Sequence, residues 1–428
     1  MRAVQRFIAA CLLASLTLPT RATDLRFDAE PLTAQRLVET VLDRNPGLQA
    51  LRAAVTEAAS RVEPAGALED PMLAYNVAPQ TIAGQRLSQA VDLSQEIPWP
   101  GTLALREDAA RSEAEAAGQD LVDLRLEIIA AVKAGFAEWY YVHRALAINE
   151  ANRDLLIELR NVAETQYAAG RATQQDVIQA ELEHARLLDE ALALQKEQRS
   201  IQAQLNGLLN RAPGEYLSPP KEVEPPAPPP DLQVLQQTAV ETHPELKQAE
   251  AQLQASRSRV GLAEKDFYPD LGLNIGYDSF WDDEDQRFSV GASINIPLNR
   301  SKYRALRDAA QANALRSQWR LIDRRARLLA ALGRARAEVA ESVDVIALHH
   351  DQLEPLAQDN LSAATADYRA GAGDFLDVIT AENRKLMIEL GLARAQANYV
   401  RRLAELERLT GGALPAGYGS GNEESTNE

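Results

Sequence analysis

The sequence is poor in the residues that build disulfide frameworks and metal clusters. Among 428 residues there are one cysteine, Cys11, and five histidines. The histidines do not recur at the spacings that hold zinc, and His349 and His350 are adjacent, so they do not share a helix face. The sequence therefore predicts no bound metal and no cofactor.

Positive charge is also in deficit. The chain has 45 Lys and Arg against 62 Asp and Glu, a net charge of -17. Binding to nucleic acid needs a basic domain with clustered Lys and Arg, so this balance argues against such a partner. Enzyme motifs are missing as well: there is no Gly-x-Ser-x-Gly, no phosphate-binding glycine loop and no His-Glu-x-x-His. We do not expect an enzyme.

Long apolar runs are absent except for a short one near the N-terminus. Arg2 and Arg6 precede an apolar run at 7–18, and small residues follow at 20–22, as in a secretory signal peptide. Cleavage before Cys11 with lipidation is the alternative, but it leaves much of the apolar run on the mature side. We predict a signal peptide at 1–22. No later stretch approaches the roughly 18 consecutive apolar residues of a membrane-spanning helix.

The strongest pattern is a duplication of about 200 residues. At a shift of 198, Leu37 aligns with Leu235 and Pro46 with Pro244. At a shift of 201, the Tyr-x-x-Gly at 167–170 aligns with 368–371. The period is far longer than the 20–50 residues of solenoid repeats, so the pattern indicates a duplicated half-molecule.

The duplication divides the mature chain into two repeats. Each repeat is predicted to contain a helix, a β-hairpin and then a long helical hairpin. The prolines between the repeats indicate an extended connector. The predicted segments are a first repeat at 23–211 with its β-hairpin at about 72–97, a connector at 212–231, a second repeat at 232–412 with its β-hairpin at about 270–297, and a flexible tail at 413–428.

Two-residue alternation predicts two strands in each repeat. Leu271, Leu273 and Ile275 alternate with small and polar residues, and the first repeat carries a weaker version of the pattern. Strands of about ten residues would cross a bilayer, and the neighbouring aromatic side chains are suited to its interfaces. These aromatics are Trp99, Phe280 and Trp281. Taken alone, alternation favours a half-buried soluble sheet, because barrel strands give a weak sequence signal.

The rest of each repeat is predicted to be long helix. Residues 103–169 contain no proline, which allows roughly 100 Å of continuous helix. Gly170 and Gly371 suit the tight turn after each long helix, because glycine enters the left-handed region without a Cβ penalty. We predict that the two turns form exposed tips, made of Gly170, Arg171, Ala172 and Thr173 and of Gly371, Ala372 and Gly373.

Four strands cannot close a barrel, and open strand edges are not tolerated in lipid. A membrane location would therefore require several copies of the chain. Two copies give eight strands, which side chains fill, whereas three give twelve, which can enclose a lumen. The pattern favours a homotrimer if the chain forms a conduit.

Several short motifs resemble the TolC-type outer-membrane factors over roughly residues 30 to 412. They are Asn-Pro-Gly-Leu at 45–48, His-Pro-Glu-Leu at 243–246, Gln-Glu-Ile-Pro-Trp-Pro-Gly at 95–101, and Tyr-x-x-Gly-x6-Val-Ile in both repeats. The resemblance implies a mainly α fold: a homotrimer whose twelve-stranded outer-membrane β-barrel continues into a long periplasmic α-helical barrel. Barrel and helices would meet at Pro71, Pro98, Pro100, Pro269 and Pro297.

The resemblance also implies a function and partners. Members of this family are exit ducts for tripartite efflux or type I secretion, and they work with a periplasmic adaptor protein and an inner-membrane pump. The motif set looks most like the branch paired with heavy-metal cation exporters of the resistance-nodulation-division class. Efflux of drugs or organic compounds, type I protein secretion and a structural periplasmic coiled-coil protein remain as alternatives.

A gate at the periplasmic end is a further implication of the resemblance. Asp377 matches by position an aspartate that points into the closed tip in this family, and Asp176 is its repeat partner. Asp374, at the same tip, is the third candidate. The family often has a second aspartate three residues on, where this chain has Thr380. The alternative is that these carboxylates stabilise helix N-termini through the helix dipole.

Overall fold

The structure, a computed structural model, describes residues 30–78, 87–223, 225–281, 284, 287–412 and 414. The predicted signal peptide with Cys11, and the predicted tail apart from residue 414, lie outside these residues. Within the described ranges, no helix is both long enough and apolar enough to cross a membrane.

The first half is helical apart from one pair of strands. Its elements are α1 (Ala34–Arg44), α2 (Pro46–Ser60), α3 (Val62–Gly66), β1 (Met72–Ala78), β2 (Ser88–Ile97), α4 (Thr102–Ala168) and α5 (Gln174–Leu208). The 67 residues of α4 form one uninterrupted helix, roughly 100 Å long at 1.5 Å per residue. This is the length that the lack of proline predicted.

The second half repeats this order with one difference. Its elements are α6 (Leu232–Thr242), α7 (Pro244–Lys265), β3 (Leu271–Asp278), β4 (Phe288–Ile294), α8 (Arg300–Leu348), a π-helical turn (His349–Leu353), α9 (Glu354–Ala370) and α10 (Phe375–Leu409). Pro355 follows the π turn and has no N–H to continue the helical ladder. The first half has Asp154 at the equivalent position, so only the second long helix is interrupted.

The repeated Asn-Pro and His-Pro motifs are helix starts. Asn45 caps α2, because its Oδ1 accepts from the backbone N–H groups of Gly47 (2.9 Å) and Leu48 (3.3 Å). His243 caps α7 in the same way, with Nδ1 accepting from the N–H of Glu245 at 3.3 Å. Proline takes the first position of both helices, where its missing N–H costs nothing.

The four strands form one antiparallel sheet in the order β1-β2-β3-β4. The central β2–β3 pairing joins the two halves of the chain, with Leu93 opposite Ile275. The strands are seven to ten residues long, and only β2 reaches the expected ten.

The long helices pack side by side into one layer. α4 packs along α5, α7 and α10, and α8 packs along α7 and α10. One buried cluster near the tips draws on both halves, with Leu156 and Leu187 from the first and Leu361 and Leu386 from the second. The halves therefore share a core, and the layer has α5 at one edge and α8 with α9 at the other.

The connector is held against the helices at several points. The indole N–H of Trp139 donates to the carbonyl of Ser218 at 3.0 Å. Tyr399 accepts from the N–H of Ala227 at 3.0 Å, and Arg336 donates to the carbonyl of Pro230 at 2.8 Å. These bonds connect it to α4, α10 and α8, so this segment is an extended strap on the helical layer.

Candidate functional site

One face of the sheet is apolar across all four strands. Register places its side chains in rows, of which two are Leu73, Leu93, Ile275 and Val290, and Tyr75, Val91, Tyr277 and Phe288. Val290 is 84% exposed and Phe288 72%. A contiguous apolar face of this kind marks a surface that meets lipid or another protein.

The opposite face is polar and has glycine beneath its longer side chains. Asp92 and Ser289 flank Gly276, and a Cβ on Gly276 would lie 2.7 Å from the Asp92 carboxylate and 2.9 Å from the Ser289 hydroxyl. The four described strands carry three acidic residues, Asp92, Glu96 and Asp278, and no Lys or Arg. A lumen lined by this face would attract cations.

Both the sheet and the helical layer end in edges without a neighbour in the described chain. β1 and β4 each pair with one strand. Along the helical edges, apolar side chains at three- and four-residue spacing are exposed; they include Ile178, Leu182 and Leu192 on α5 and Leu315, Trp319 and Ile322 on α8. Two opposite edges with this character suit a head-to-tail ring.

The predicted transition prolines lie between strands and helices. Pro71 precedes β1, Pro98 and Pro100 separate β2 from α4, and Pro269 and Pro297 flank the second strand pair. The two halves are joined here, because the N–H of Trp99 donates to Asp270 at 2.9 Å and its ring stacks on Tyr268 at 4.9 Å. At the other end of β3, Phe280 and Trp281 are each about half exposed.

The first tip is a left-handed turn at Gly170. Its φ is +72°, and the N–H of Arg171 bonds to the carbonyl of Gln166 at 2.9 Å, which closes the end of α4. Arg171 and Thr173 are exposed, whereas Ala172 packs against the core cluster near the tips.

The second tip repeats this geometry beside the first. Gly371 has a φ of +73°, and the N–H of Ala372 bonds to the carbonyl of Asp367 at 2.9 Å. A Cβ on Gly373 would lie 3.2 Å from the Cβ of Asp367. Gln166 of the first tip donates to the carbonyl of Arg369 at 3.0 Å, so the two tips form one end of the molecule.

The three candidate gate aspartates differ in their surroundings. Asp176 is half-buried and accepts from the hydroxyls of Thr173 (2.7 Å) and Tyr368 (3.2 Å). Asp374 and Asp377 are exposed.

Two residues of this end were not predicted from the sequence. Tyr368 belongs to the repeated Tyr-x-x-Gly motif, but only the structure shows its bond to Asp176. Glu382 is fully buried and neither carboxylate oxygen has a hydrogen-bond partner. Burial raises its pKa to about 7, and Arg186 opposes this effect. The sequence contained one sign that position 382 matters: Glu382 aligns with Glu181, so both repeats have a glutamate at this position.

A family model named Outer membrane efflux protein matches residues 235–412. The chain is 23% identical over 321 residues to nodulation protein T of Rhizobium leguminosarum bv. trifolii, covering 73% of this chain and 68% of the relative. It is 22% identical over 393 residues to the cobalt-zinc-cadmium resistance protein CzcC of Cupriavidus metallidurans, covering 90% and 91%.

Solved structures share the whole fold. The outer-membrane channel OprN superposes with a TM-score of 0.77 at 21% identity, over 89% of this chain and 90% of that one. The second half of the chain therefore matches the outer membrane efflux protein family model, and the chain shares its fold with a solved outer-membrane channel.

Proposed function

We propose that this protein is the outer-membrane exit duct of a tripartite efflux system. Three copies form a ring in which the sheets close into a twelve-stranded barrel through the outer membrane. The helical layers continue this barrel into the periplasm. Substrate passes through the lumen without chemical change.

The observation that carries this proposal is that the four-stranded sheet is open at both edges. It has one exposed apolar face, one polar face and two unpaired edges. Lipid accepts the apolar face only if every strand edge is paired, because unpaired backbone groups are costly in hydrocarbon. Three copies supply twelve strands, which leave room for a lumen on the polar face.

The helical edges support the same ring. The exposed apolar side chains of α5 on one copy face the exposed apolar side chains of α8 and α9 on the next. Such a head-to-tail contact repeats around a closed ring and leaves no unmatched edge. The connector strap lies on one face of the layer, which we assign to the outside of the barrel.

We propose heavy-metal cations as substrate, delivered by a resistance-nodulation-division pump through a periplasmic adaptor that docks at the two tips. CzcC is named for cobalt, zinc and cadmium resistance, and the polar sheet face here carries acids without bases. Two of the matches are to nodulation protein T and not to a metal-resistance protein, so export of organic compounds stays the second candidate.

The proposal is tested by purifying the full chain from outer membranes in mild detergent. We expect a homotrimer by mass measurement and crosslinking, and cation-selective conductance in planar bilayers. A stable monomer without conductance would contradict the duct. A conducting trimer whose expression leaves cobalt, zinc and cadmium tolerance unchanged, in cells that also express a resistance-nodulation-division pump and its adaptor, would contradict the metal substrate alone.

A further inference from the structure

Glu382 is a buried acid close to the tips of the molecule. It lies on α10, five residues after Asp377, with no exposed surface. Neither Oε1 nor Oε2 accepts a hydrogen bond. An ionised carboxylate in this position would have no hydrogen bonds to offset the loss of its hydration, so burial favours the protonated form.

The neighbouring cations are already engaged with other groups. Arg186 of α5 donates to Glu183 at 2.7 Å and to the side chain of Asn383 at 2.5 Å. Lys385 of α10 pairs with Glu389 at 2.6 Å, and Asn152 of α4 donates to the same glutamate. The charges acting on Glu382 are thus Arg186 and Glu183 from α5, and Lys385 and Glu389 from α10.

An apolar core occupies the same end of the molecule. The shared core contains Leu156 and Leu159 of α4, Tyr368 of α9 and Leu386 of α10. The contact between Arg186 and Asn383 is the polar tie between α5 and α10 at the level of Glu382. If the carboxyl of Glu382 loses its proton to solvent, its new negative charge attracts Arg186. This attraction competes with the hydrogen bond from Arg186 to Asn383.

The duplication shows that the repeat does not need a buried acid here. Glu181 occupies the equivalent position on α5 and is exposed. The two glutamates have the same chemistry and the same place in the repeat but opposite environments. Glu181 is therefore the matched control for Glu382.

We propose that Glu382 holds a proton while the periplasmic end is closed, and that release of this proton loosens α10 from α5 and opens that end. The inference rests on the proposed duct function and adds its regulation: conductance rises with pH. For a group with a pKa of about 7, the ionised fraction rises about tenfold from pH 6 to pH 8.

The test uses the full chain in two measurements, with wild type, Glu382→Gln, Glu382→Met and Glu181→Gln. Both Glu382 variants remove the titration, and Met also removes the polar group. The melting temperature, which needs no channel activity, is measured between about pH 5 and about pH 8. Because the folded protein holds this proton more tightly than the unfolded chain, wild type loses stability relative to both Glu382 variants as pH rises.

Open probability in planar bilayers is the second measurement. We expect up to about a tenfold rise from pH 6 to pH 8 in wild type and Glu181→Gln, and a flat profile in Glu382→Gln. An unchanged rise in Glu382→Gln, or a melting difference that does not grow with pH, would overturn the proton site. Absence of conductance in wild type at every pH would instead count against the duct, while the melting difference would still test Glu382.

Discussion

The phenol of Tyr368 donates a hydrogen bond to Oδ2 of Asp176 at 3.2 Å, which joins the end of α9 to the start of α5. Their repeat partners, Tyr167 and Asp377, are both exposed. The duplicated sequence therefore produces two different tips. The bond ties the second tip to the first half of the chain, and burial followed by the Asp176 charge raises the pKa of Tyr368 to about 12.

Tyr368→Phe removes this bond and keeps the ring packed beside Phe375, 5.1 Å away. We expect a loss of about 1 kcal/mol in the free energy of unfolding and a higher open probability. Denaturant unfolding and bilayer recordings measure the two effects. Tyr167→Phe is the control and should change neither. Equal behaviour of the two variants would show that the bond does not hold the tip.

Gly170→Val and Gly371→Val place a β-branched residue at positive φ. Nothing lies within 4 Å of either new Cβ, so the penalty comes from the backbone alone, about 1 kcal/mol or more at each site. We expect a lower melting temperature and weaker adaptor docking with the trimer intact. Gly118→Ala, in the interior of α4 with equally open space, is the control and should stabilise by up to about 1 kcal/mol.

The sequence was sufficient for elements whose signal is local. Alternation of Leu271, Leu273 and Ile275 predicts β3, and the absence of proline from 103–169 predicts α4. The glycines at 170 and 371 mark both turns. In each case a residue's own backbone preference or the period of its neighbours decides the structure.

Features that depend on packing could not be predicted. Glu181 and Glu382 are equivalent in the repeat, yet only Glu382 is enclosed, because α10 is covered by helices on more sides than the edge helix α5. The π turn precedes Pro355 and packs against Gly391, where a Cβ would lie 2.7 Å from the ring of His349. That contact joins residues about 40 positions apart and leaves no periodic trace.

The burial of His243 predicts that the folded protein becomes less stable as the pH falls. It is 1% exposed, and burial lowers its pKa, against the opposing charges of Asp123 and Glu245. The unfolded chain takes up a proton below about pH 6.5 that the folded cap resists, so this contribution to stability is present above that pH and lost as pH falls. His243→Asn copies the cap of Asn45 and should reduce the loss, which thermal melts at about pH 5 and pH 7.5 would detect. Equal losses in both proteins would exclude His243 as the cause.

Val290→Arg tests which face of the sheet meets lipid. Val290 lies in the apolar rows, and a buried arginine near the bilayer midplane costs about 2–4 kcal/mol. We expect less heat-modifiable trimer in outer membranes, quantified by electrophoresis without boiling. Asn76→Arg, on the polar face, is the control and should leave the amount of trimer unchanged while reducing cation selectivity. The reverse outcome would invert the assignment of the two faces.

The variant Asp377→Ala distinguishes two roles for Asp377, a gate residue in the lumen and a residue that stabilises the start of α10. The carboxylate of Asp377 is exposed on the first turn of α10, so a ring of three copies would place three negative charges around the narrow periplasmic end. Such a ring attracts cations, and its removal should lower cation selectivity and block by divalent ions in single-channel recordings. Asp176→Ala is the comparison: it loses the bonds from Thr173 and Tyr368 and should cost about 1 kcal/mol or more in unfolding free energy. If Asp377→Ala lowers the melting temperature but leaves selectivity and block unchanged, Asp377 is a stabilising residue at the start of α10 and the gate must be sought elsewhere.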